Sequence, residues 1–305
     1  MSHAVAQSPS WTAQDIRLES TPGPIAGTLI VPSGATRVPL VVIIAGSGPT
    51  DRDGNAPMIR PNNLRQLAEA LADRGVASLR YDKRGIAGSG SAATSEAELR
   101  FDTYADDAAA WVRKFRADPR FGPIVILGHS EGSLLGMLAT QRAPADGFVS
   151  VAGTARRADR VLHDQLAAQL PAPLLAQADS TLASLAAGKT VDNSPPMLAM
   201  LFRPSVQPYM ISWLRYSGSL EIARLRVPTL IVQGTNDIQV APAEADSLKL
   251  ALPVAQLLVF AGMNHVMKST PPGRAEQMAS YSDPAIPIAA GLADSVAAFA
   301  KRIRG

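Results

Sequence analysis

The stretch Val38–Ala45 is apolar at every position (VPLVVIIA) and stops at Gly46-Ser47-Gly48-Pro49. It is rich in β-branched residues and too short for an ordinary buried helix. A run of this kind, with no polar face, suits a strand covered on both sides, as in a parallel sheet sandwiched between helices. Its neighbours keep the same rhythm. Asp15–Ser20 and Ile25–Val31 alternate as strands do, with Pro22-Gly23-Pro24 as the turn between them. Asn62–Arg74 carries helical spacing through Leu64, Leu67, Ala68 and Leu71, and Gly75 stops it. Val76–Tyr81 reads as a strand, Asp82–Gly90 as a glycine-rich loop, Asp102–Ala117 as a helix, and Pro123–Leu127 as a strand. A helix over 131–142, strands at 147–151, 229–232 and 256–260, and helices at 242–252 and 287–302 complete the alternation. This order predicts an α/β fold, a mostly parallel central sheet with helices on both faces.

The rhythm breaks between Thr154 and Leu225. Two helix-like segments flank Pro171 and Pro173, and a Pro/Met/aromatic stretch runs from Pro195 to Tyr216. The expected organisation is a flexible leader over 1–13, a core built from 14–153 and 226–305, and an insertion over 154–225 that forms a helical cap.

Bulk properties exclude several function classes. The chain of 305 residues is 47% hydrophobic, which is enough for a large core and too much for disorder. Its net charge of +3 is scattered, without the patch or stripe that nucleic-acid binding needs. With no cysteine there is no disulfide, thiol nucleophile or thiolate metal site. No apolar run is long enough to span a membrane. Ala4-Val5-Ala6 followed by Gln7 resembles the end of a cleaved signal peptide, which leaves a cytoplasmic and a periplasmic location both open.

Residues 128–132 are Gly-His-Ser-Glu-Gly, a G-x-S-x-G pentapeptide. In a chain of this length it arises by chance about one time in ten. Its setting carries the weight: an apolar strand directly before and a helical segment directly after, which hold the serine on a strained strand-to-helix turn. A serine hydroxyl needs a base. Of the four histidines, His3 lies in the leader, His129 lies inside the turn with its side chain directed away from the serine, and His163 lies in the insertion. His265 follows the strand 256–260 and can reach a serine at the same sheet edge. The base in turn needs an acid to set its tautomer. Asp237 ends a strand and falls between serine and histidine in sequence; Asp246 falls within a helix. The order Ser130, Asp237, His265 is that of a nucleophile-elbow hydrolase. Oxyanion donors are expected from the backbone N–H of Glu131 and of Ser47, with Gly48 as the alternative to Ser47.

Together AGSGPTDRDGN (45–55), LRYDKRGIAGSG (79–90), GHSEG (128–132), VPTLIVQGTNDIQV (227–240) and MNHVMK (263–268) resemble the α/β-hydrolase superfamily, in particular bacterial carboxylesterases of the serine aminopeptidase-like group. The resemblance implies nucleophile, acid and base roles for Ser130, Asp237 and His265, an oxyanion loop at Ser47, and a cap over the site. Many relatives have His-Gly where this chain has Ala45-Gly46; the donor is a backbone amide, so the change should matter little.

Other motifs fall away. A dinucleotide fingerprint would need glycine at position 51, where Asp51 stands, and a calcium loop would need glycine at 56 and glutamate at 62, where Ala56 and Asn62 stand. Asp51, Asp53 and Arg84 are instead expected to brace the oxyanion loop. Met197, Phe202, Tyr209 and Trp213 in the insertion are candidates for a substrate pocket, or for the cap's own packing. No cofactor or metal is expected. The expected partner is a small ester; the oligomeric state is open. Two further readings stand beside ester hydrolysis: amide or aminopeptidase chemistry on the same residues, with Asp164, Asp179 and Asp192 available to hold an amine, and a non-catalytic ligand receptor on the same fold.

Overall fold

A computed structural model describes residues 10–34 and 36–304. Ala4-Val5-Ala6 and His3 lie outside the described residues. Eight strands form one sheet: β1 (Trp11–Leu18), β2 (Ile25–Pro32), β3 (Val38–Ile44), β4 (Ala77–Tyr81), β5 (Phe121–His129), β6 (Gly147–Val151), β7 (Thr229–Gly234) and β8 (Gln256–Phe260). The order across the sheet is β1-β2-β4-β3-β5-β6-β7-β8. The pairs β1/β2 and β2/β4 are antiparallel, and every pair from β4/β3 onward is parallel.

Eleven α-helices pack around this sheet or between its strands. They are α1 (Asn63–Ala72), α2 (Phe101–Arg116), α3 (Glu131–Arg142), α4 (Ala158–Ala167), α5 (Ala172–Ala186), α6 (Ala199–Phe202), α7 (Gln207–Trp213), α8 (Gly218–Ile222), α9 (Pro242–Ala251), α10 (Arg274–Ser282) and α11 (Leu292–Arg302) among the described residues.

The period-2 geometry of a strand accounts for the apolar run that contains β3. Leu40, Val42 and Ile44 point into the core shared with Phe101, Trp111, Leu135 and Leu248, on the side of α2, α3 and α9. Val41, Ile43 and Ala45 point the other way, into the core shared with Leu64, Leu67, Leu71, Leu292 and Val296 of α1 and α11. Both faces are dry, so both residue sets must be apolar.

Between β6 and β7, helices α4 to α7 and the turns beside them gather a smaller apolar cluster of their own: Ala158, Ala178, Leu182, Leu185, Leu198, Phe202, Met210 and Leu214. Tyr209, Ile222 and Leu225 of the same segment pack into the main core instead. Among the described residues no helix is long and apolar enough to cross a membrane.

Several boundaries differ from those the sequence suggests. β1 begins at Trp11, inside the stretch expected as a leader, because its partner β2 extends to Pro32 and pairs with it. Helix α11 starts at Leu292 after the left-handed Gly291 (φ 81°), five residues later than the spacing suggests. Helix α10 was not expected at all. Its buried residues are Gln277, Ser280 and Tyr281, a weakly apolar set that periodicity does not single out.

Candidate active site

The chain reverses its direction of strand addition at β3: β4 lies on one side and β5 on the other. Loops leaving the carboxyl ends of β3 and β5 therefore diverge and leave a crevice, the usual ligand position in an open α/β sheet. Ser130 stands at that point, between β5 and α3. Its backbone is at φ 56°, ψ −122°, a conformation that a residue with a Cβ rarely adopts. Holding it there costs roughly 1–3 kcal/mol. Two bonds pin the turn, Ser130 N–H to the Val151 carbonyl at 2.9 Å and Ser133 N–H to the Ser130 carbonyl at 2.9 Å.

The turn also requires close backbone approach. A Cβ on Gly132 would sit 2.4 Å from the Ile44 carbonyl oxygen and 2.7 Å from that of Ala45. The start of α3 thus rests directly on the end of β3, beside the candidate oxyanion loop. Gly132→Ala should cost on the order of 3 kcal/mol, seen as a lower urea midpoint, because backbone on both sides cannot move aside.

The acid and base loops converge for a related reason. A Cβ on Gly234, the last residue of β7, would lie 2.0 Å from the Met263 carbonyl. Without it, Asn236 N–H donates to that same carbonyl at 3.0 Å and draws the two loops together. His265 Nδ1 then meets Asp237 Oδ2 at 2.8 Å, and both side chains are buried. The other carboxylate oxygen, Oδ1, accepts the N–H groups of Gln239 and Val240, each at 2.8 Å. Burial pushes the Asp237 carboxyl upward, but the His265 charge and hydrogen bond together with the two amides outweigh it. The group ends below the ordinary carboxylate range and stays ionised near neutrality.

His129 has a role the sequence did not reveal. It is buried, and its Nε2 lies 2.8 Å from the backbone carbonyl of His265, to which it donates in the Nε2–H tautomer. The two imidazole rings are 4.9 Å apart. Burial, with a smaller contribution from the His265 charge, lowers the His129 pKa to about 4, so it remains a neutral donor. The residue before the serine thus tethers the loop that carries His265. Among the described residues the Ser130 hydroxyl makes no hydrogen bond to His265; such contacts often tighten only when substrate is bound.

Around the loop after β3, Asp51 Oδ1 accepts the N–H groups of Asp53 at 2.8 Å and Asn55 at 2.9 Å, and Asp53 pairs with Arg80. Arg84 does not join them. It grips Asp107 of α2 with two bonds at 2.7 and 3.0 Å, and the Thr21 and Ala92 carbonyls at 2.7 and 2.6 Å. The residues from its loop that reach across are its neighbours. Asp82 holds Arg52 by backbone and guanidinium at 2.7 Å each, and Lys83 donates to the Gly46 carbonyl at 2.5 Å. Ser47 and Gly48 follow at the exposed tip, with Gly48 at φ 70°.

The four pocket candidates from the insertion separate. Met197 is 79% exposed, and Phe202 is fully buried in the cluster formed by α4 to α7. Tyr209 and Trp213 pack on Phe101, with ring centroids 6.0 and 5.8 Å away. Among the described residues no group of His, Asp and Glu has the arrangement of a metal site.

Residues 62–199 match the family described as serine aminopeptidase, S33. The esterase EstD of Thermotoga maritima is 31% identical over 272 residues, covering 86% of this chain and 63% of EstD, so the chain spans less than two thirds of that relative's length. Among solved structures, an esterase of Pyrococcus furiosus superposes with a TM-score of 0.63 at 16% identity, covering 99% of this chain and 96% of the other. The esterase domain of a Rhodothermus marinus protein does so at 0.60 and 16% identity, covering 96% and 100%. At such identities the structural likeness is one of fold. With the strand order and these likenesses taken together, the chain has the α/β-hydrolase fold, and over residues 62–199 its sequence is similar to the serine aminopeptidase, S33, family.

Proposed function

We propose that the protein hydrolyses carboxylic esters with short to medium acyl chains through an acyl-enzyme on Ser130. The buried, ionised Asp237 paired with His265, on a loop tethered to the strained serine turn, is the observation that carries this reading. The 31% identity to the Thermotoga maritima esterase supports it.

In this reading Asp237 accepts the Nδ1–H of His265, which leaves Nε2 as the free base. As Ser130 Oγ bonds to the ester carbonyl carbon, its proton passes to Nε2. The carbonyl oxygen becomes an oxyanion facing the N–H groups of Glu131 and Ser47. Glu131 opens α3, where the first helical N–H groups have no partner within the helix and the helix dipole favours negative charge. When the intermediate collapses, the ester C–O bond breaks and the alcohol leaves with the proton from His265. A water molecule then repeats the sequence on the acyl-serine and releases the acid. Residues 154–225 act as the cap over this site, with Tyr209 and Trp213 as its contact to the core.

An amide-cleaving variant would use the same residues, and it would need a free carboxylate for the substrate amine. Of the three candidates, Asp164 is already bonded to Arg156 at 2.7 Å and Asp179 to His163 at 2.7 Å, while Asp192 is exposed with no ion-pair partner among the described residues; with two of the three engaged, the ester is favoured. Turnover of a nitrophenyl butyrate should therefore exceed that of an aminoacyl nitroanilide by at least about 10²-fold in kcat/KM. The reverse ranking would transfer the assignment to peptide chemistry. A fluorophosphonate probe should label Ser130; failure to do so would point to a ligand receptor on this fold.

A further inference from the structure

Lys83 is among the largest fully buried side chains in the protein, and its charge is not used by the chemistry above. It leaves the end of β4 and runs beneath the serine turn. Its ammonium lies 3.1 Å from Glu131 Oε1 and 2.5 Å from the Gly46 carbonyl, and 5.4 Å from the centre of the Tyr104 ring. Both charged side chains are 2% exposed. A buried pair of this kind is seldom retained for stability, because desolvation of the two charges offsets most of their attraction. Its location suggests another reason.

Gly46 and Ser47 share one peptide unit. In a planar trans peptide the C=O and the following N–H point in opposite directions, and this bond is not among the cis bonds of the described residues. An ammonium that holds the Gly46 carbonyl inward therefore turns the Ser47 N–H outward, toward the crevice. The charge also polarises that amide and strengthens its N–H as a donor. At its other end, the ammonium binds the side chain of the residue whose own N–H is the second candidate donor. One buried cation thus links both donor residues. Gly46 has no side chain to obstruct this: a Cβ there would lie 3.3 Å from Ser130 Cβ.

We propose that Lys83 is a positioning residue for the oxyanion hole, its ammonium anchored by Glu131 and clamping the Gly46 carbonyl so that the Ser47 N–H is aimed at the developing oxyanion. The inference rests on the hydrolase reading above. Glu131 Oε2 and the Tyr209 hydroxyl are both buried without a partner among the described residues, and the Glu131 carboxylate acts electrostatically on Tyr209. The insertion thereby comes close to the same cation through α7.

The test compares wild type, Lys83→Met and the double variant Lys83→Met/Glu131→Gln on nitrophenyl butyrate. Thermal midpoints and the Ki of a trifluoromethyl ketone, which forms an oxyanion on the serine, are measured alongside. Lys83→Met should lose on the order of 10²-fold in kcat with KM nearly unchanged, and the ketone should weaken by a similar factor. The double variant, which leaves no lone buried carboxylate, should regain thermal stability and not kcat; it also supplies the answer if Lys83→Met does not fold. If kcat and ketone binding return together with stability, Lys83 only neutralises Glu131 and the inference is overturned. Full kcat in Lys83→Met, with Ser130 of the wild type labelled by fluorophosphonate, overturns this inference alone. An unlabelled wild type overturns the hydrolase reading and this inference with it.

Discussion

Ser130→Ala should lower kcat for a nitrophenyl ester by on the order of 10⁶-fold and abolish fluorophosphonate labelling, while the urea midpoint changes little. The size of the effect follows from the proposed mechanism, in which Ser130 Oγ alone forms the acyl bond, so that its loss would leave only oxyanion stabilisation and binding. The small effect on stability follows from the backbone. Alanine inherits the same φ of 56°, so the strain at the turn is neither relieved nor increased, and the pinning bonds to Val151 and Ser133 are made by main-chain atoms. Activity retained at even a hundredth of wild type would mean that another nucleophile is at work.

Asp237→Asn should lower kcat/KM by about 10⁴-fold with KM for the ester little changed. The geometry forces this result more strongly than simple loss of charge would. Oδ1 accepts two backbone N–H groups, from Gln239 and Val240, so that position must remain an oxygen. The asparagine NH₂ is then directed at His265, where it can only donate. His265 must present Nδ1 as the acceptor and carry its proton on Nε2, the tautomer that cannot take a proton from serine. The same contacts set the pH dependence. The Asp237 pKa is depressed on folding, so its contribution to stability is present above its unfolded value, near 3.9, and is lost as pH falls through the lower folded value. Acid unfolding of the wild type should therefore include a step that the asparagine variant lacks, measured as the difference in urea midpoint between pH 6 and pH 3.

The sheet was legible because burial on both faces leaves the runs Val38–Ile44, Ile124–Leu127 and Leu230–Val232 apolar at every position. The triad candidates were legible for a different reason: each follows a strand, and strand ends of one parallel sheet share an edge. What sequence could not reveal was direction. Lys83 and Arg84 are adjacent and both basic, yet one turns under the serine and the other turns away to Asp107. Only the course of the loop after β4 decides between them. Position within the turn directs His129 away from the serine, but its bond to the His265 carbonyl depends on where a loop 136 residues later comes to lie. Within the insertion, residue type did not separate Phe202, which fills the local core, from Met197, which faces outward, because apolar side chains serve either place equally well.

The pairing of Lys83 with Glu131 also constrains how this chain can diverge. Losing either charge alone leaves the other buried and uncompensated, a cost of about 3–5 kcal/mol against a total stability on the order of 5–15 kcal/mol. Lineages are thus expected to keep both residues or to exchange both, with few intermediates. Across related sequences these two positions, 48 residues apart, should be inherited as a single character.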